Sequence, residues 1–166
     1  MQTNIGLSDE TRLAVGLSLN LLLADEYVLY ATTRDYHWNV TGPEFDSLHQ
    51  LFETQYGQIS KWLDDIAERA RTIGVGAHGN WADLTKAVRS SAAPGIGLPP
   101  NRMLSELLGL HEDLVVYLRE DIASTGRLGD IGTTDFLTGL LEQHEKAAWL
   151  LRSHLETTKE KRPALN

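Results

Sequence analysis

Apolar residues recur at helical spacing in four long stretches, with polar or chain-breaking residues between them. Leu13, Leu17, Leu21, Ala24 and Val28 mark the first stretch. Ser8 precedes it as an N-cap, and Asp9 and Glu10 fall in the first turn, where the helix dipole favours acids. This helix is expected to reach about His37. Asn39 to Pro43 reads as a turn, and the capping-box spacing of Thr41 and Glu44 predicts that a second helix starts there. Leu48, Phe52, Ile59, Leu63 and Ile66 carry it to Ile73, where Gly74 and Gly76 stop it. A third helix is expected from Arg102 to Ser124, with Leu104, Leu107, Leu108, Leu114, Leu118 and Ile122 apolar and Gly126 and Gly129 ending it. A fourth is expected from Asp130 to Lys161, with Leu137, Leu141, Ala148, Leu151 and Leu155 on one face and Pro163 closing it.

Residues 74–100 form a long connection that holds a short helical segment, NWADLTKAVRSS, followed by the breaker-rich APGIGLPP. No strand pattern of comparable length competes. Two short connections and one long crossover between helices two and three describe an all-α, ferritin-like four-helix bundle. The 166 residues are expected to form one domain, with short flexible tails at 1–7 and 162–166. There is no internal repeat, and the GIG near residue 96 lacks the strand and spacing of a phosphate loop.

Composition narrows the chemistry. The chain has no cysteine, which removes disulfides, zinc fingers and thiolate metal sites and leaves His, Asp and Glu as the strong ligands. The N-terminus MQTNIGLSDETR lacks the basic and apolar regions of a secretory signal, and the run LNLLLA is too short to span a bilayer, so a soluble cytoplasmic protein is expected. The net charge of −8 repels free nucleic acid and attracts cations.

Five residues of metal-ligating type then stand out: His37, His49, Glu53, Asp64 and Glu68. At roughly 100° per residue, with His49 as origin, Glu53 lies at about 40°, Asp64 at about 60° and Glu68 at about 100°. All four share one helix face. His49 with Glu53, and Asp64 with Glu68, are i,i+4 pairs that can each grip a cation. From Glu53 to Asp64, however, is roughly 16 Å along the axis, while metal bonds to N and O ligands are roughly 2.0–2.2 Å. One straight helix cannot bring both pairs to one ion. Two copies packed antiparallel about a two-fold axis can, giving two equal sites per dimer. A site inside the bundle would need Glu-x-x-His on two helices, and the chain contains no such motif. Solvated carboxylates on an ordinary helix are the plain alternative.

The pattern HW–––TG––F–––H–––E, followed by D––AER and later HEKAAWLLR, resembles the signature of the Dps family, the miniferritins that protect DNA in starved bacteria. The resemblance covers nearly the whole chain. It implies a hollow homododecamer and a ferroxidase site across the dimer two-fold, with His37, His49 and Glu53 from one subunit and Asp64 and Glu68 from the other. Iron (Fe2+/Fe3+), two ions per site, would be oxidised by hydrogen peroxide or dioxygen and stored inside the shell as ferric oxide. Many family members have Asp where this chain has Glu53, a departure that touches metal spacing more than metal binding. Trp38, beside the first ligand, is expected to pack the site or quench radicals. Asp130 and Asp135 resemble the acidic lining of the family's iron pores, and helix N-terminal charge is their structural alternative. His111 and His144 fall on apolar stripes and are expected to be hydrogen-bonded core histidines. His78 has no evident partner.

DNA binding is expected to be weak. The family's DNA-binding members usually carry a lysine-rich tail, whereas this N-terminus has no Lys before the first helix, and TTKEKRPALN offers only Lys159, Lys161 and Arg162, diluted by Glu160. A nucleoid-compacting structural protein with secondary iron chemistry is the competing reading, and a metal-free regulatory bundle a remoter one.

Overall fold

The computed structural model describes residues 3–90 and 96–160, with the backbone alone at 157–160. Its helices are α1 (Asp9–Asn39), α2 (Phe45–Thr72), α3 (Trp81–Ala87), α4 (Pro100–Arg127) and α5 (Ile131–Glu160). α1 pairs with α2 and α4 with α5, α1 bridges the two hairpins through α4, and α2 and α5 touch sparsely. The described residues contain no strand. The expected four-helix bundle with a crossover helix is the fold observed. The tail beyond Glu160, with most of the basic residues considered for DNA, lies outside the described residues.

Ser8 caps α1 as expected, its hydroxyl accepting from Thr11 N at 3.1 Å. The expected capping box at α2 does not form. Gly42 turns at φ 109°, Phe45 N reaches Gly42 O at 3.1 Å, and the helix begins after Glu44 with no side-chain cap. That turn leaves Thr41 outside the helix. α4 starts before the expected Arg102 because Pro99 and Pro100 hold the N-cap and N1 positions, where the missing N–H costs nothing. Gly126 lies within α4, and only Gly129, at φ 77°, ends it.

The core is lined by Val15, Leu19, Leu22, Leu29 and Tyr36 from α1, with Phe52, Ile59 and Ile66 from α2 and leucines of α4 and α5. Leu13 and Leu17, expected on the buried stripe, are instead 66% and 63% exposed. α1 is apolar around much of its circumference, so its sequence supports two stripes, and packing selects the one through Val15 and Leu19. α1 is also long and apolar enough to cross a bilayer by composition, but here it is a core helix that buries Asp25 and Glu26.

Two polar ties fix the crossover. Asp25, fully buried, accepts from the backbone and side chains of Arg89 and Ser90. Asn20 donates to Gly76 O at 2.9 Å and accepts from His78 N at 2.8 Å. His78, which offered no partner in the sequence, is thus held by its backbone.

Candidate metal centre

The end of α1 and the start of α2 bring His37 and His49 together across the intervening turn. Their rings stack with centroids 3.7 Å apart. The Nδ1 of His37 meets the carbonyl oxygen of His49 at 2.9 Å, and the Nδ1 of His49 meets the carbonyl oxygen of His37 at 2.8 Å. A carbonyl only accepts, so each Nδ1 carries the hydrogen. In the neutral ring the lone pair is then on Nε2. A carbonyl holding one nitrogen so that the other is presented for ligation is the usual outer-shell arrangement of metal-binding histidines. The sequence supplied both residues but gave no sign of this mutual grip.

Aromatic side chains complete the support. Phe45 stacks on His49 at 4.9 Å, and Tyr56 stands edge-on to His37 at 5.2 Å. Tyr30 meets Tyr56 edge to face at 6.2 Å. The Arg34 guanidinium lies over the rings of Tyr30, Trp38 and Tyr56, 5.2–5.8 Å from their centroids. Trp38 itself is 64% exposed; the rings recorded against the two histidines are those of Phe45 and Tyr56. Sequence reasoning missed Tyr56, although its i+7 spacing from His49 is a helical neighbour signal.

The acidic members sit on α2 as the helical projection requires. Glu53, Asp64 and Glu68 are all exposed. Gln50 Nε2 approaches Glu53 at 3.5 Å, a marginal contact. Asp64 borders a shallow cavity of about 350 Å³ with Tyr27, Tyr30 and Ser60. Among the described residues, no three His, Asp or Glu side chains converge on one metal-sized volume within the chain. The histidine end and the Asp64–Glu68 end of α2 thus lie apart within the chain.

The two acidic residues considered for a pore have different surroundings. Asp130 is buried and caps α5, accepting from Thr133 N at 2.9 Å and Thr133 Oγ1 at 2.6 Å. Arg69 of α2 adds an ion pair at 3.1 Å. Asp135 is exposed and borders a cavity shared with Asp65.

A second polar cluster lies in the bundle interior. His111 of α4 and His144 of α5 are fully buried, with their Nδ1 atoms 3.0 Å apart. His144 Nε2 lies 2.7 Å from Glu26 Oε1 of α1. That contact has hydrogen-bond length but falls outside hydrogen-bond angles, so both atoms remain geometrically under-satisfied. Burial, followed by the neighbouring His144, pushes the His111 pKa well below the usual histidine range. Both histidines are the core residues that their apolar stripes implied. The sequence reading missed Glu26, although an acid inside the run LLLADEYVLY was its signal.

Comparison with known proteins agrees with this architecture. A family model described as a ferritin-like domain matches residues 17–161. The low temperature-induced protein all0458 of Nostoc sp. is 43% identical over 154 residues, covering 92% of this chain and 86% of the relative. The DNA protection during starvation protein 2 of Bacillus anthracis is 31% identical over 137 residues, covering 82% and 93%. The crystal structure of the Dps protein from Vibrio cholerae O1, described as belonging to a broad superfamily of ferritin-like diiron-carboxylate proteins, superposes with a TM-score of 0.86 at 30% identity, covering 93% and 98%. With its bundle topology, crossover helix and full-length similarity, the chain belongs to the Dps family of ferritin-like proteins.

Proposed function

We propose that this protein oxidises Fe(II) and stores the ferric product, protecting its surroundings from oxidative damage, in the cytoplasm. The observation that carries this reading is the reciprocal bonding of His37 and His49, in which each Nδ1 is taken by a carbonyl and Nε2 is the nitrogen left for ligation. Imidazole with carboxylate, and no thiolate, suits Fe(II). Family membership and the diiron-carboxylate description of the Vibrio cholerae relative support iron as the substrate.

Because the two half-sites lie apart on α2, the complete site is shared: His37, His49 and Glu53 from one chain, Asp64 and Glu68 from a second copy packed about a two-fold axis. In the full assembly, a hollow dodecamer, the product collects inside. Two Fe(II) ions each give up one electron, the peroxide O–O bond breaks, and two hydroxides result. Hydrolysis of the two Fe(III) ions then releases protons as the oxide forms. Dioxygen is the alternative oxidant. The carboxylates favour the product because added negative charge stabilises the higher cation. Asp135, the exposed one of the two acids, is the better placed for a cation entry route, and Trp38 remains a candidate radical sink through its exposure beside His37.

The test is stopped-flow oxidation of Fe(II), with peroxide against air, on size-fractionated protein. Asp64→Ala combined with Glu68→Ala should abolish the fast phase while the assembly persists. An undiminished fast phase in an intact assembly refutes the assignment.

A further inference from the structure

α2 and α5 meet loosely, and the seam between them holds a cavity of about 230 Å³ that His111 of α4 also borders. Its apolar walls include Ile59, Trp62 and Leu150, and Lys146 of α5 lines it too. Two buried side chains in this wall carry polar atoms without hydrogen-bond partners among the described residues. Both amide atoms of Gln55 are unbonded, and so is Nε2 of fully buried His111. Buried polar atoms without partners are rare in native proteins and mark places where something else binds.

The chemistry of the wall limits what fits. The volume is below the ~300–1,000 Å³ of drug-sized pockets, which suits a compact ring or short chain. The lining contains a lysine and no carboxylate, so a cationic ligand is disfavoured. A pure hydrocarbon would leave Gln55 and His111 unsatisfied. A small organic acid satisfies both ends, with an apolar body against Trp62 and Ile59 and a carboxyl head toward Gln55 and His111.

We infer that the α2–α5 cavity binds a small carboxylic acid of apolar body, its carboxyl head held by His111, Gln55 and Lys146. The inference stands independently of the iron chemistry.

Calorimetric titration of the assembled protein with benzoate tests it. The expected result is one benzoate bound per chain. Benzylamine should not bind. Histidine ¹⁵N NMR of the unmutated protein gives a readout independent of any folding defect, and benzoate should shift the His111 Nε2 resonance. Absence of benzoate binding overturns the proposal. So does benzoate binding that leaves the His111 resonances unchanged.

Discussion

Arg89 grips Asp25 twice, through its backbone N–H at 2.7 Å and its Nε at 2.6 Å. Ser90 adds its own N–H and hydroxyl to the same carboxylate, and Arg89 stacks over Tyr117 at 4.3 Å. One fully buried acid on α1 therefore anchors the crossover that lets the two hairpins of the bundle connect. Asp25→Ala leaves two backbone donors and a guanidinium without that acceptor. It should cost about 3–5 kcal/mol, the range for removing one partner of a buried pair. Thermal unfolding measures the loss, and hydrogen exchange should quicken first across residues 80–90.

Gly16 of α1 faces Val75, and a Cβ placed there would sit 2.5 Å from Val75 Cγ1. Alanine is the better helix former by about 1 kcal/mol, yet overpacking costs ~1–3 kcal/mol. Gly16→Ala should therefore lower the melting temperature. Adding Val75→Gly removes both methyls and the Val75 Cβ, which lies 2.8 Å from the added carbon, and should relieve the clash, a coupling that a double-mutant cycle reads directly.

A shared site makes a prediction that no single-chain site can. His49→Ala spoils one half and Asp64→Ala the other. Mixed and reassembled at equal amounts, half of the dimers are heterodimers, and each of these carries one site with both halves intact. About a quarter of wild-type Fe(II) oxidation should return from two inactive parents. Failure of the mixture to recover activity, with mixing confirmed by mass spectrometry, would refute the shared site.

His111 provides a pH signature of the core. Its folded pKa is lowered by burial and by His144, so the unfolded chain binds a proton at this residue that the native chain does not. The stabilisation is complete above the unfolded value of about 6.5 and declines as pH falls below it, by about 1.4 kcal/mol per unit until the folded pKa is reached. Melting between pH 7 and pH 5 should show this slope, and His111→Leu should flatten it.

The shared face of the candidate ligands on α2 was readable because a helix converts spacing into angle. His49, Glu53, Asp64 and Glu68 had to share a face of α2 once that segment was helical, and the long gap between the pairs already ruled out one ion on one chain. The mutual carbonyl bonds of His37 and His49 were not readable. They depend on the turn at Gly42 setting the end of α1 against the start of α2, a geometry that residue spacing does not encode.

Helix existence and connection lengths are local properties, set by periodicity, caps and breakers, and the sequence by itself determined them, together with the all-α class. Which stripe of α1 would be buried was decided only in the tertiary structure. Leu13 and Val15 are equally apolar, and the choice between their faces rests on what α2 and α4 present to them. The same holds for Glu26, His111 and His144. They lie on three different helices, and only packing brings their nitrogen and oxygen atoms within 3 Å of one another.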